Sequence, residues 1–336
     1  MPLHLRPLAA DERIAVAIPT KNRPSYLAAL LASLVSQTFQ NWLLVINDSS
    51  DTPVEQHAAI QDLLTLIGSL GHPVRTIHTE TGWDRHQQAM DAVPPEVEVI
   101  VRVDDDVMLT PQFLADVQKP FRLFADRPVA AVGGCIPEPH LKALDLDLQL
   151  TDKNWAPTID EPSWRLQGNH YTAREVIEVE SLLGHAICYR RSALAAVGGW
   201  SVKGYSQHAY REETDACMRL RAADYELLVT TEALAWHLYA PSGGSRTIEK
   251  TPAGVFVTSD LSGLRMDEAV FRKRLAALKR DGLADRVLKR YRLADLTAGQ
   301  RRAFSMIGTA GKAKRLTRRI RRALGRMLRG LLGKRP

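Results

Sequence analysis

Over its first 135 residues the chain alternates short apolar runs with segments of helical periodicity, and this alternation constrains the fold more than any single motif. Ile14-Ala15-Val16-Ala17-Ile18 is a strand-like run ended by Pro19. Ser25 then reads as an N-cap, after which Leu27, Leu30, Leu31, Leu34 and Val35 recur on one helical face. Trp42 to Ile46 reads as a second strand, ended by the polar turn Asn47-Asp48-Ser49-Ser50-Asp51. A helix from about Val54 to Ile67, a strand at Val74 to His78 and a short helix near Asp84 to Asp91 follow. Val97 to Val103 is the next strand, then a helix from Pro111 carrying Phe113, Val117, Phe121 and Phe124, then a strand at Val129 to Val132. Such an order predicts an α/β fold with a mostly parallel sheet, helices on both faces, and ligands at the carboxyl ends of the strands.

Beyond this region the pattern loosens. Pro137 to Tyr171 is rich in Pro, Asp and Trp and reads as a long excursion over the active face. Strands are expected at Glu175 to Leu183, Ala186 to Tyr189 and Leu227 to Thr230. Helices are expected from Arg191 to the stop at Gly198-Gly199 and from Glu212 to Ala222. Residues 263–300 read as a charged helical appendage.

The fourth strand ends in Asp104, Asp105 and Asp106. Adjacent carboxylates repel strongly in a partly dry site, so something positive is expected beside them. A divalent metal is one answer, since Mg²⁺ and Mn²⁺ take carboxylate oxygens and leave positions for phosphates. A solvated acidic turn, or a cap for the helix that Thr110-Pro111 would open, is the other. Thr20, Asp48 and the aspartates all fall at strand ends, which favours a shared site.

Charge divides the chain in two. Residues 301–336 hold 13 Lys and Arg and no acid, leaving 32 basic against 38 acidic residues, a net −6, in the first 300. The net +7 therefore describes the tail and gives no argument for nucleic acid binding by the body. Cys135, Cys188 and Cys217 lack metal-site or disulfide spacing, as expected of reduced, cytoplasmic thiols. No apolar run is long enough for a transmembrane helix, and Met1 to Arg13, with Asp11 and Glu12, does not read as a signal peptide.

The order of motifs then becomes distinctive. Ile18-Pro19-Thr20-Lys21-Asn22-Arg23-Pro24 is followed by Asn47-Asp48-Ser49-Ser50, the aspartates, Gly198-Gly199-Trp200, Glu212-Glu213-Thr214-Asp215 with Arg219, and Trp236-His237. Over roughly residues 13–240 this resembles the family 2 glycosyltransferases of the GT-A fold, a Rossmann-like nucleotide-diphospho-sugar transferase architecture. The resemblance implies a nucleotide-diphosphate sugar donor of UDP or dTDP type, Mn²⁺ or Mg²⁺, and inversion at the anomeric carbon. By resemblance, Asp106, Asp104 and His237 are metal ligands, with Asp104 or Asp105 nearer the ribose. Pro19, Thr20, Arg23, Asp48 and Arg85 would contact the donor nucleotide, and Gln88, like Arg85, sits where the family places donor-contacting residues. Asn47 departs from the family, which often has a second Asp there. Glu213 falls where the family places its general base, with Glu212 as the adjacent competitor; on a helix the two point about 100° apart. Both also suit a helix N-terminus as simple dipole partners. Asp215 and Arg219, spaced i and i+4, read as a helix ion pair. Gly199 and Trp200 would border the acceptor, or form a helix stop with a core Trp. Trp83, Trp155 and Trp164 are core or lid residues, or platforms for sugar faces.

The tail repeats Leu316, Ile320, Leu324, Met327 and Leu331 at helical spacing among arginines. A basic amphipathic helix predicts peripheral attachment to an anionic membrane surface, here the inner, cytoplasmic face of the membrane. The expected organisation is an extension (1–12), a glycosyltransferase domain (13–250), a helical appendage (251–300) and the tail (301–336). The acceptor would then be a glycan or lipid-linked molecule, with cell-envelope polysaccharide synthesis as the setting. One competing reading is a sugar-nucleotide pyrophosphorylase, against which Ile18 to Tyr26 lacks the glycines of a triphosphate loop. The other is a non-catalytic nucleotide-sugar or nucleic-acid-binding protein.

Overall fold

The computed structural model describes residues 5–80, 82, 84–136, 158–160, 165–167, 176–182, 184–200, 203–244, 248–250, 256–258, 261–280 and 290–291. Trp83, Trp155, Trp164 and the tail 301–336 lie outside the described residues. One compact unit spans Met1–Arg290 and a second Tyr291–Pro336; of the second, only Tyr291 is described.

The first unit opens with β1 (Ile14–Thr20), α1 (Pro24–Val35), β2 (Trp42–Asp48), α2 (Ala58–Ser69), β3 (Val74–His78) and α3 (Arg85–Asp91). It continues through β4 (Val99–Val103), β5 (Val107–Leu109), α4 (Phe113–Val117), α5 (Lys119–Leu123) and β6 (Val129–Cys135). Then come β7 (Thr158–Asp160), β8 (Arg165–Gln167), β9 (Val176–Glu178), β10 (Ala186–Arg190), α6 (Arg191–Ala196) and α7 (Glu212–Ala222). Last are β11 (Glu226–His237), β12 (Ile248–Lys250), β13 (Phe256–Thr258) and α8 (Leu261–Arg280).

Within this unit the main sheet runs β9-β11-β6-β10-β4-β1-β2-β3. β4, β1, β2 and β3 are parallel neighbours. β1, β2 and β4 are buried along their whole length, which is why they read as unbroken apolar runs. Beyond β4 the sheet is mixed: β10 inserts antiparallel between β4 and β6, and β11 is parallel to β6 but antiparallel to β9. Register sets Thr20 beside Asp48 and the antiparallel Ala186 beside Val103. The sheet edge that ends β1, β2 and β4 therefore also begins β10, just after His185.

Several boundaries differ from the sequence reading. α1 starts at Pro24, with Arg23 rather than Ser25 at the cap position; Pro suits the first turn because its missing N–H has no helical partner there. The helix expected from Pro111 is two short helices, α4 and α5, because Pro120 cannot donate the bond that would join them. Phe113, Val117, Phe121 and Phe124 are all buried as read. The strand expected to end at Thr230 continues to His237: the register slips between Val229 and Leu234, and the outer half then pairs with β5, placing His237 opposite Val107. Such an irregularity bends a strand and re-aims its side chains. Here it brings His237 beside the aspartates.

Candidate active site

The site grows from the ends of β1, β4 and β11, the start of β10, and the starts of α3 and α7. Asp104, leaving β4, bonds through its amide to the carbonyl of His185 at 2.8 Å. The acid repulsion anticipated from sequence is met in large part by the chain's own arginines. Arg102 reaches Asp104 Oδ1 at 2.7 Å, and Arg23 reaches Asp105 Oδ1 at 2.8 Å and Asp106 Oδ2 at 3.4 Å. Thr20 Oγ1 donates to the other oxygen of Asp105 at 2.8 Å. Asp106 Oδ2 also accepts the Ala240 amide at 3.0 Å. Burial opposes the charge of Asp104, but Arg102 and His185 outweigh it and hold the carboxyl well below its ordinary range. Burial wins at Asp105, which rises to about 6 despite Arg23.

Arg23 is itself wrapped by the loop after β11, donating to the carbonyls of Ser242 and Gly243 at 2.9 Å each. Gly243 has φ +76°, and a Cβ there would lie 2.6 Å from Arg23 Cγ and 2.8 Å from the Lys21 carbonyl. Only glycine fits this close approach.

Two histidines complete the acidic side. His237 is fully buried, with Nε2 3.4 Å from Asp106 Oδ1; His185 Nδ1 lies 3.3 Å from Asp104 Oδ2; the two rings stack at 3.9 Å between centroids. Two carboxylates thus each face an imidazole, and the imidazoles lie against one another, so nitrogen and oxygen donors of the kind that divalent ions take stand side by side here. His237 was predicted; His185 was not, since a lone His before a strand carries no sequence signal.

Across the cleft, α7 begins with Glu212 and Glu213. Glu212 is 3% exposed and its Oε1 lies 2.9 Å from His86 Nε2. Burial, then Arg102 and Arg85, push the His86 pKa well below its usual range, which favours the neutral ring. Arg102 donates to His86 Nδ1 at 2.8 Å, which leaves Nε2–H to donate to Glu212. A continuous chain, Asp104–Arg102–His86–Glu212, thus links the two acidic groups through side chains that sequence reading did not single out. A charged Arg102 inside an apolar strand was the available signal. Burial raises Glu212 to about 7, with Arg85 and Arg102 opposing, and burial also raises Glu213. Glu213 is partly exposed, lines the cleft and packs on Gly184.

Pro19, Thr20, Arg23 and Arg85 line the same cleft as Asp104, Asp105, Asp106, Glu212 and Glu213. Arg85 donates to the carbonyls of Gln207 and His208, holding the loop before α7. Asp48 is not brought into the lining. Its two oxygens accept the amides of Ser50 at 2.9 Å and Val54 at 2.8 Å, and it is 1% exposed, so it caps its own loop. Among the described residues Asp48, Glu55 and His78, and not the aspartates with His185 and His237, bring three ligating atoms within 4.8 Å of one another, a grouping the sequence does not suggest. Asn47 has a specific use: its Nδ2 donates to the Arg85 carbonyl at 2.7 Å, which an Asp could not do.

Gly199 and Trp200 are corrected as acceptor-side residues. Trp200 is fully buried, edge-on to Tyr189 and 5.2 Å from the Arg102 guanidinium, so it supports the site from beneath. Gly199, at φ +83°, turns the chain behind α7, where Arg219 donates to the carbonyls of Gly199 at 2.6 Å and Trp200 at 2.7 Å. Arg219 also pairs with Asp215 at 2.7 Å, the helix ion pair expected from their spacing.

The fold and this cleft define a glycosyltransferase. The chain belongs to glycosyl transferase family 2, whose model matches residues 15–196, more than half of its length. Among solved structures, GalNAc-T7 with UDP, GalNAc and Mn²⁺ is similar over 68% of this chain and 44% of its own, at 14% identity and a TM-score of 0.51. TarS of S. aureus is similar over 68% of this chain and 37% of its own, at 16% identity and a TM-score of 0.46. The chain thus spans less than half of either protein. No curated protein matches it by sequence.

Proposed function

We propose that the enzyme transfers a sugar from a nucleotide-diphosphate donor, of UDP or dTDP type, to a hydroxyl of a glycan or lipid-linked acceptor, with inversion. The observation that carries this reading is one cleft flanked by a charge-balanced aspartate cluster and by two glutamates with raised pKa. That GalNAc-T7 is solved with UDP, GalNAc and Mn²⁺ on a similar fold supports it. Family membership sets aside the pyrophosphorylase and non-catalytic alternatives.

Glu213 is the general base. It is partly open to the cleft, whereas Glu212 is sealed and engaged by His86. A raised pKa brings a carboxylate nearer the operating pH, where proton abstraction is most effective. As Glu213 takes the acceptor hydroxyl proton, that oxygen forms its bond to the anomeric carbon and the bond to the diphosphate breaks on the opposite side. Arg23 and Arg85 line the cleft on the donor side and can receive phosphate charge. A divalent metal held by Asp106, Asp104 and His237, with His185 adjoining, would add neutralising charge for the departing diphosphate.

The basic, periodic 301–336 tail supports the membrane reading, in which the enzyme sits peripherally on the inner face of the membrane and serves envelope polysaccharide synthesis. Among the described residues no helix is long and apolar enough to cross a membrane. The test of the chemistry is a pair of variants. Asp106→Ala and Glu213→Gln should both abolish transfer, and only the first should weaken metal-dependent donor binding. Full transfer by Glu213→Gln sinks the base assignment.

A further inference from the structure

Helix α8 lies beyond the residues that the family model matches, yet it is bonded to the loop that delivers both glutamates. Asp267 on this helix is 0% exposed. Its Oδ1 accepts the Ser206 amide at 2.5 Å, and its Oδ2 accepts the Ser206 hydroxyl and the Tyr210 amide, each at 2.8 Å. Glu268, the next residue, accepts from Arg211 Nε at 3.1 Å. Further along α8, Arg274 pairs with the buried Asp215 of α7.

The loop needs such support. Ala209 at φ +50° and Arg211 at φ +76° both sit in the left-handed region, which is unfavourable for residues with a Cβ. Arg211 immediately precedes Glu212, so any relaxation there turns the start of α7 and both glutamates with it. The opposite side of the loop is gripped by Arg85. A carboxylate that accepts two amides and a hydroxyl from one short segment fixes its shape more strongly than neutral bonds would.

We propose that Asp267 is a positioning residue for glycosyl transfer. It holds residues 206–211 in the strained conformation that presents Glu212 and Glu213 to the cleft, so α8 is a working part of the catalytic unit. The proposal rests on the assignment of Glu213 as base.

The test uses the full chain with Asp267→Ala and Asp267→Asn, read by amide hydrogen exchange and by steady-state kinetics. Asn keeps an oxygen toward Ser206 and turns its NH₂ against the Tyr210 amide, so it removes one bond where Ala removes three. The expected result is exchange at Ser206 and Tyr210 faster by about tenfold or more in the Ala variant, and at Tyr210 alone in the Asn variant. Amides of β1 and β4 should keep their protection, and kcat should fall about tenfold or more with the donor KM within about twofold. Unchanged exchange at both amides overturns the proposal, as does an equal rise in β1 and β4. A loosened loop with unchanged kcat overturns the positioning role. If the Ala variant does not fold, the Asn variant decides. Retained transfer by Glu213→Gln would instead sink the base assignment, while the exchange data still report on the loop.

Discussion

Replacing Glu212 by Gln should make the protein more stable above neutral pH. Burial lifts this carboxyl from its ordinary 4.5 to about 7, and at 3% exposure there is little solvent to screen the effect. A folded-state pKa above the unfolded one means that the native state prefers the proton. The stability tied to Glu212 is therefore fully present below about pH 4.5 and is lost as pH rises to about 7. At roughly 1.4 kcal/mol per pH unit, ionised Glu212 costs the native state about 3 kcal/mol at pH 8. Gln keeps an oxygen for His86 Nε2–H and carries no charge to bury. Thermal unfolding in EDTA at pH 8 should show Glu212→Gln melting roughly 4–6 °C above the parent, and the gap should close by about pH 4.5. A variant no more stable than the parent at pH 8, or an advantage that persists unchanged in acid, would refute the argument.

Two further outcomes follow from other parts of the chain. Arg219→Ala leaves Asp215 with Arg274 as its remaining cation and strips bonds from the carbonyls of Val197, Gly199 and Trp200, so it should cost about 2–4 kcal/mol in denaturant unfolding. Arg219→Lys should recover little of that, since an ammonium cannot reproduce the fork, and a loss under about 1 kcal/mol for Ala would contradict this. Deleting residues 301–336 should release the protein from anionic vesicles while hydrolysis of soluble donor survives, because each basic residue contributes about 1 kcal/mol at such a surface. Unchanged cosedimentation would remove the membrane reading.

Much of this fold is legible in the chain because its physics is local. β1, β2 and β4 are buried on both faces and so appear as unbroken apolar runs, and the α7 start at Glu212 is marked by its acidic first turn. What escaped depends on sheet order. Thr230-Thr231-Glu232 interrupts the apolar pattern of β11, so the clear strand ends at Thr230 in the sequence, and that the same strand runs on to His237 shows only in the sheet. His185 matters only because β10 is antiparallel beside β4. Asp48 shows the converse: it lies at the expected strand end, but two nearby amides have claimed its oxygens. Trp200 was equally readable as core or acceptor border, and only packing against Tyr189 and Arg102 decides.

The central claim is that this cleft binds a nucleotide-diphosphate sugar through the aspartate cluster. Thermal stability measured against UDP, dTDP, GDP and CMP, each with and without Mn²⁺, tests it most directly. A ligand at about 100 times its dissociation constant adds roughly 2.7 kcal/mol, which is readily seen. The expected result is a Mn²⁺-dependent rise with UDP or dTDP that Asp106→Ala abolishes. No rise with any of the four, with or without metal, would contradict it.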